Sequence, residues 1–415
     1  MACKLKISNF VTEDLDFIKT TLVIKNRVSN YKIEEIECFD VDDGFVYLPF
    51  SFTKSNFEIS RKICKQTERV NFLSELRNEQ INIKNLALDQ LRITGSALIA
   101  ACPGFGKTIT AINIACELKV KTLIVVNKLI LIEQWKESIN KFCDGKVQYV
   151  QPSTETLDET ATFYVVNAIN ISKKPKTFWN SIELLIVDEL HQVITKILLF
   201  SLLKLTPHYL IGLSATPYRY DDYHKAINWI FGKDALIKPL FVFHTVYCVK
   251  TDFFPDKITT GSRGIDWNNI LQLQSENNAR NDIIVNSVRK FPDKMWMILV
   301  KRINHATILV EKFTKLNVKC TTLLGSEITF DKSCHVLIGT TKKIGVGFDH
   351  ADINALCIAA DVKNYFEQFL GRCMRKPDSN PIVLDFEDKY FPLKNHFVQR
   401  LREYKNYGGV IKYYE

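Results

Sequence analysis

From about residue 71 onward the chain repeats one grammar: a short apolar run, then a stretch whose apolar positions recur at helical spacing. SALIAA is followed by TITAINIACELK, KTLIVV by LILIEQWKESINKF, and ELLIVD by KILLFSLLKL. A strand covered on both faces reads as a continuous apolar run, and two parallel strands need a crossover between them. The alternation therefore predicts βαβ units: an α/β chain with a parallel sheet and helices on both faces. It pauses in PLFVFHTVYCVKTDFFPDKITTGSRG and resumes at MWMILV, HVLIGT, ALCIAA and PIVLDF. A length of 415 residues suits about two to three domains. The reading is two tandem parallel-sheet domains over 71–240 and 276–415, joined by an extended linker over 241–275. Residues 1–70 differ, with alternating segments KTTLVIK and GFVYLPFSF around the acidic turn FDVDDG, and predict a small β-containing domain.

Three stretches carry chemistry in the first α/β half. Ala101-Cys102-Pro103-Gly104-Phe105-Gly106-Lys107-Thr108 follows a predicted strand, opens a predicted helix, and fits a phosphate loop with Ala in the first small position. Its backbone N–H groups would cradle phosphate, Lys107 would reach the β- and γ-phosphates, and the Thr108 hydroxyl would hold Mg2+. Taken alone, a glycine turn explains the same residues. Next, LLIV ends in Asp188-Glu189-Leu190-His191, which delivers two carboxylates to the edge where such sheets bind ligands. Asp188 would complete the Mg2+ shell and Glu189 would activate water, although an Asp-Glu pair also caps helices. Third, Gly212-Leu213-Ser214-Ala215-Thr216-Pro217 follows HYLIGL and brings two hydroxyls to the same edge, where a plain Ser/Thr turn is the alternative.

The order of these stretches, each ending its own strand, resembles motifs I, II and III of the superfamily-two helicases and translocases. The resemblance implies two RecA-like domains using ATP and Mg2+, with His191 in the catalytic set and Ser214 and Thr216 coupling the ATP site to domain movement. The second half answers with Gln368-x-x-Gly371-Arg372-x-x-Arg375, the spacing of motif VI, which places Gln368, Arg372 and Arg375 on one helix face. Arg372 and Arg375 are the candidate arginine fingers. Gly339 to Asp349 resembles motif V, where relatives use Thr, here Thr341, against the nucleic-acid backbone, and the Gly347-x-Asp349 end near the nucleotide. Val346 stands where many relatives carry Glu. Met297 to Arg302 resembles motif IV, with Arg302 a candidate phosphate contact.

Leu76-Arg77-x-x-Gln80, Ile132-Glu133-Gln134-Trp135-Lys136, Pro217-Tyr218-Arg219 and Arg280-Asn281 point to the XPB-like branch. By that resemblance Gln80 recognises adenine and Gln134 lies at the nucleic-acid groove. Trp135 is either a groove residue or a core aromatic, and Asn127 replaces a usual Pro. The Cys-Pro-Gly-Phe-Gly-Lys-Thr loop, the Lys-Leu-Lys opening and FVYLPFSF look most like helicases of nucleocytoplasmic large DNA viruses, including the poxvirus-type transcript-release helicase. That implies DNA-stimulated ATP hydrolysis, 3′→5′ movement, and a role in viral transcription termination or repair. It also implies RNA polymerase or other transcription factors as partners and an intracellular protein, in the host cytoplasm and the virion if viral. A monomer is expected. An RNA-remodelling enzyme, a translocase that does not unwind, and an ATP-gated binding module are the competing readings.

The formal charge of +9, spread along the chain, favours a polyanion such as nucleic acid as partner, and it is the resemblance that puts DNA ahead of RNA. Eleven cysteines without a C-x-x-C pair read as reduced thiols. The opening MACKLKISNF lacks a signal peptide's apolar core, and Asn127 and Lys128 break the TLIVVNKLILI run, so no membrane segment is expected.

Overall fold

The computed structural model describes residues 1–29, 32–58, 64, 70–215, 222–256, 260–261, 264–327, 329–345, 350, 352–363, 366–374 and 379–414. Thr216, Gly347, Asp349 and Arg375 lie outside the described residues, as does the Pro217-Tyr218-Arg219 segment. The chain forms two compact units, Met1–Ala101 with Phe105–Lys238, and Cys102–Gly104 with Pro239–Glu415.

In the first unit a seven-stranded sheet runs in the order Ala235–Lys238, Ser96–Ala101, Tyr209–Ser214, Leu184–Val187, Thr122–Val126, Phe163–Asn167, Val147–Val150. All its pairings are parallel. Every residue of Ser96–Ala101, Thr122–Val126 and Leu184–Val187 is buried. This is why these strands read as unbroken apolar runs. The register sets Ser214 beside Ala100 and Val187 beside Gly212. The ends of three motif-bearing strands therefore lie side by side, with the Ser214 strand in the middle.

The amino-terminal region carries an antiparallel three-stranded sheet, Ala2–Lys6, Phe45–Pro49 and Asp40–Asp42, and a hairpin of Val23–Ser29 with Lys32–Glu37. Among the described residues it forms no separate core. Ile18, Leu22, Val46, Leu48 and Phe50 join Leu98, Leu185, Leu199, Leu202 and Phe231 in one hydrophobic cluster. The region's buried side chains complete the first unit's core.

The second unit's seven-stranded parallel sheet is ordered Cys320–Leu323, Val336–Thr340, Trp296–Val300, Ala355–Ile358, Ile382–Asp388, His244–Thr251, Gly409–Tyr414. Met297 and Leu299 face one core cluster while Trp296, Ile298 and Val300 face another. Two covered faces explain the uninterrupted MWMILV run. The stretch expected as an extended linker, 241–275, is different here. His244–Thr251 is an inner strand of this sheet, and Trp267–Glu276 is a helix. Pro255, Gly261, Ser262 and Gly264 follow the strand closely in sequence, and their breaking character masked the alternation within HTVYCVKT.

Candidate nucleotide-binding site

The loop after Ser96–Ala101 turns into the helix Lys107–Leu118 through two glycines in the left-handed region, Gly104 at φ 81° and Gly106 at φ 94°. Side-chain-bearing residues avoid that conformation. At Gly106 there is no room either, since a Cβ would lie 2.3 Å from Gln80 Nε2. Gln80 is 3% exposed and braces the loop. Its Nε2 donates to the Phe105 carbonyl at 2.9 Å, and its Oε1 accepts from the Arg77 backbone N–H at 2.8 Å. The Arg77 guanidinium donates to the same carbonyl. The resemblance assigned this amide to adenine, whereas both bonds described here are to the chain itself. The Lys107 ammonium reaches back across the loop to the Ala101 carbonyl at 2.7 Å. Thr108 is the second residue of the helix and half-buried.

Asp188 extends the sheet by one bond, its N–H donating to the Val125 carbonyl at 3.0 Å. It is 8% exposed. Burial pushes its carboxyl up to about 6, Glu189's charge adds to the shift, and the Trp135 N–H and the Lys107 charge oppose it. The Trp135 indole N–H donates to Asp188 Oδ2 at 2.8 Å, and the Glu189 N–H to Asp188 Oδ1 at 2.8 Å. Trp135 is thus a core residue of the helix Leu129–Phe142, 1% exposed, with its one polar atom on the carboxylate. Sequence reasoning left its place open between groove and core and offered no signal for this contact.

Glu189 sits in the left-handed region at φ 47°, between the strand and the short helix Leu190–Val193. A non-glycine residue held there marks a constrained position. Its Oε2 is buried without a hydrogen-bond donor among the described residues and lies 3.6 Å from His191 Nδ1. His191 Nδ1 is also 3.1 Å from Ser214 Oγ, so the second and third motif strands are joined by a side-chain contact. Lys128, which the sequence reading used only as a break in an apolar run, is drawn into this neighbourhood. Burial lowers its ammonium and Glu189's charge counters that.

Two adjacent carboxylates, one raised by burial and the other with an oxygen that no donor reaches, suit a divalent cation. Among the described residues no three His, Cys, Asp or Glu side chains gather to hold a metal by themselves. That pattern fits Mg2+, which binds through one or two carboxylates together with substrate phosphates.

In the second unit, the helix Phe366–Cys373 carries a buried Gln368, and Arg372 Nη2 donates to the Gly345 carbonyl at 3.1 Å. This ties the sixth motif to the fifth. Thr341 opens the short helix Thr341–Ile344 and is half-buried. Arg302 donates to the Asn268 carbonyl at 3.0 Å and to its Oδ1 at 3.2 Å, so its guanidinium holds the helix Trp267–Glu276. In the first unit Gln134 is half-buried. Arg280 and Asn281 prove structural in position. Arg280 Nε donates to Asp388 at 2.7 Å, with both side chains nearly sealed, and Asn281 Oδ1 meets His305 Nε2 at 2.9 Å.

The family described as "Type III restriction enzyme, res subunit" matches residues 72–219. "Putative helicase 161L" of Invertebrate iridescent virus 6 is 38% identical over the whole of both chains. The chain belongs to the superfamily-two helicases. "DNA 3'-5' translocase XPB2" of Sulfurisphaera tokodaii is 26% identical to this helicase, over 76% of this chain and 82% of its own. Among solved structures, a fragment of the HsdR subunit of a type I restriction enzyme from Vibrio vulnificus has the same fold. Its TM-score is 0.60 at 16% identity, covering 83% of this helicase and 70% of that chain. Membership implies an ATPase that uses ATP with Mg2+. No helix among the described residues is long and apolar enough to cross a membrane.

Proposed function

We propose that this helicase is a nucleic-acid-stimulated ATPase that moves along DNA, serving viral transcription, at termination or transcript release, or DNA repair. The observation that carries the reading is the convergence at one sheet edge of the loop ending in Lys107, the Asp188–Glu189 pair and the His191–Ser214 contact. The charge of +9 suits either nucleic acid; the relative named as a DNA 3'-5' translocase supports the DNA reading, while relatives named as RNA helicases, from Acanthamoeba polyphaga mimivirus and African swine fever virus, keep RNA as the second reading.

In this proposal the loop amides and Lys107 bind the nucleotide's phosphates, and Thr108 and Asp188 would hold Mg2+, which would neutralise phosphate charge. Glu189, whose Oε2 lies 3.6 Å from His191 Nδ1 and meets no hydrogen-bond donor among the described residues, orients the attacking water and accepts its proton at Oε2. Ser214, through His191, relays the state of that carboxylate to the third motif strand. Gln368, Arg372 and Arg375 are proposed as the second unit's contribution to hydrolysis. Thr341, Arg302 and Gln134 are proposed to meet the sugar-phosphate backbone, so that binding is tolerant of sequence and weakened by salt. A monomer that associates with RNA polymerase is the proposed working form.

ATP turnover measured with single- and double-stranded DNA and RNA, paired with strand displacement in both polarities, tests the proposal. DNA should raise the rate more than RNA, and Lys107→Ala should remove the stimulated rate. Stimulation by RNA alone would overturn the DNA reading, and undiminished turnover in Lys107→Ala would overturn the site.

A further inference from the structure

The helix Leu129–Phe142 buries Leu131, Ile132, Trp135 and Ile139 against the first unit's sheet. A tryptophan buried for packing alone needs only some acceptor for its indole N–H, and a backbone carbonyl is the common one. Trp135 uses Asp188 Oδ2 instead, at 2.8 Å and across 53 residues of chain. The two oxygens of Asp188 are then each held by a separate donor, one by the indole and one by the Glu189 backbone N–H. Two fixed donors set the plane of the carboxylate, while each oxygen keeps a further lone pair for another ligand. The donor on Oδ2 is rigid, because the indole is itself locked in the core.

We propose that Trp135 is a positioning residue for Asp188, holding the carboxylate in the orientation that takes Mg2+ and so setting how much Mg2+ strengthens nucleotide binding. The inference rests on the reading of Asp188 as a Mg2+ ligand. Groups that orient a metal ligand from behind typically govern affinity by roughly 10- to 100-fold. Trp135 stands in that relation to Asp188, and it touches neither the loop amides nor Lys107 in the contacts described. Its effect therefore falls on the Mg2+-dependent part of binding and spares the part due to the loop.

The test measures the affinity of a fluorescent ADP analogue, excited directly, with Mg2+ and with EDTA, for the full-length wild type, Trp135→Phe, Asp188→Asn and the double variant. In Trp135→Phe the ratio of the two affinities should fall roughly 10-fold, with the EDTA value unchanged. In the Asp188→Asn background the tryptophan substitution should change neither value. An unchanged ratio, an equal loss in EDTA, or an effect that persists in the double variant would each overturn the inference. Should Trp135→Phe fail to fold, 15N-indole spectra of wild type and Asp188→Asn decide. One of the five tryptophan signals should move on adding Mg2+ to the nucleotide-bound wild type and shift in Asp188→Asn; five unmoved signals would refute the contact's role. If the wild type binds no nucleotide at all, the nucleotide-site reading falls first and the inference with it.

Discussion

Gln80→Ala separates two roles for one amide. If the residue reads adenine, its loss weakens ATP and leaves GTP alone. The contacts describe a brace on the phosphate loop: Nε2 on the Phe105 carbonyl at 2.9 Å and Oε1 on the Arg77 N–H at 2.8 Å, in a side chain 3% exposed. Each bond contributes about 1 kcal/mol net. The Phe105 carbonyl keeps the Arg77 guanidinium as a donor after truncation, so the loop loses about 2 kcal/mol of support at most. At about 1.4 kcal/mol per tenfold, that bounds the loss of nucleotide affinity near 30-fold. Fluorescent ADP and GDP analogues titrated into wild type and Gln80→Ala should weaken together, because on the proposed reading the braced backbone would meet phosphates and not bases. Gly106→Ala should weaken both nucleotides as well, since its Cβ would collide with the same amide and φ 94° strains it. A loss confined to the adenine nucleotide in Gln80→Ala would refute the brace.

Glu189→Gln should lower ATP turnover by about 100-fold or more while leaving nucleotide binding intact, checked by phosphate release against analogue titration. Arg280→Met takes the buried guanidinium away from Asp388, which keeps Thr251 and Gln274 as donors; it should cost about 3–5 kcal/mol, read from urea unfolding. His305 has its pKa pushed down to about 3, by burial first and by the Arg280 charge second, from an ordinary 6.5. The folded state therefore binds fewer protons than the unfolded one. The stability held above pH 6.5 is lost as pH falls, on the order of 3 kcal/mol by pH 4.5. His305→Gln, which keeps a donor for Asn281, should flatten that loss by about 2 kcal/mol, and equal slopes in variant and wild type would contradict it.

The amino-terminal strands and the strand at His244–Thr251 show where reading by pattern stops. Residues 1–70 carry recognisable β alternation, but whether such a segment has its own core depends on what lies across from Leu48 and Phe50. The answer, Leu98, Leu199 and Phe231, is far away in sequence. His244–Thr251 alternates too, yet its place between Ile382–Asp388 and Gly409–Tyr414 depends on strands from the other end of the chain. The roles of Thr216, Gly347, Asp349 and Arg375 rest on the resemblance, since they lie outside the described residues.

The sequence alone determined what is local. Unbroken apolar runs dictated buried parallel strands, and two glycines before Lys107 dictated a tight turn into a helix, because burial on both faces and positive φ leave their mark on neighbouring residues. Tertiary structure decided which side chains support the site. Gln80 reaches the loop across 25 residues and Trp135 reaches Asp188 across 53. An amide able to face a base and an indole able to face a groove look no different in sequence; only the fold, by bringing a carbonyl or a carboxylate within hydrogen-bonding distance, gives each its work.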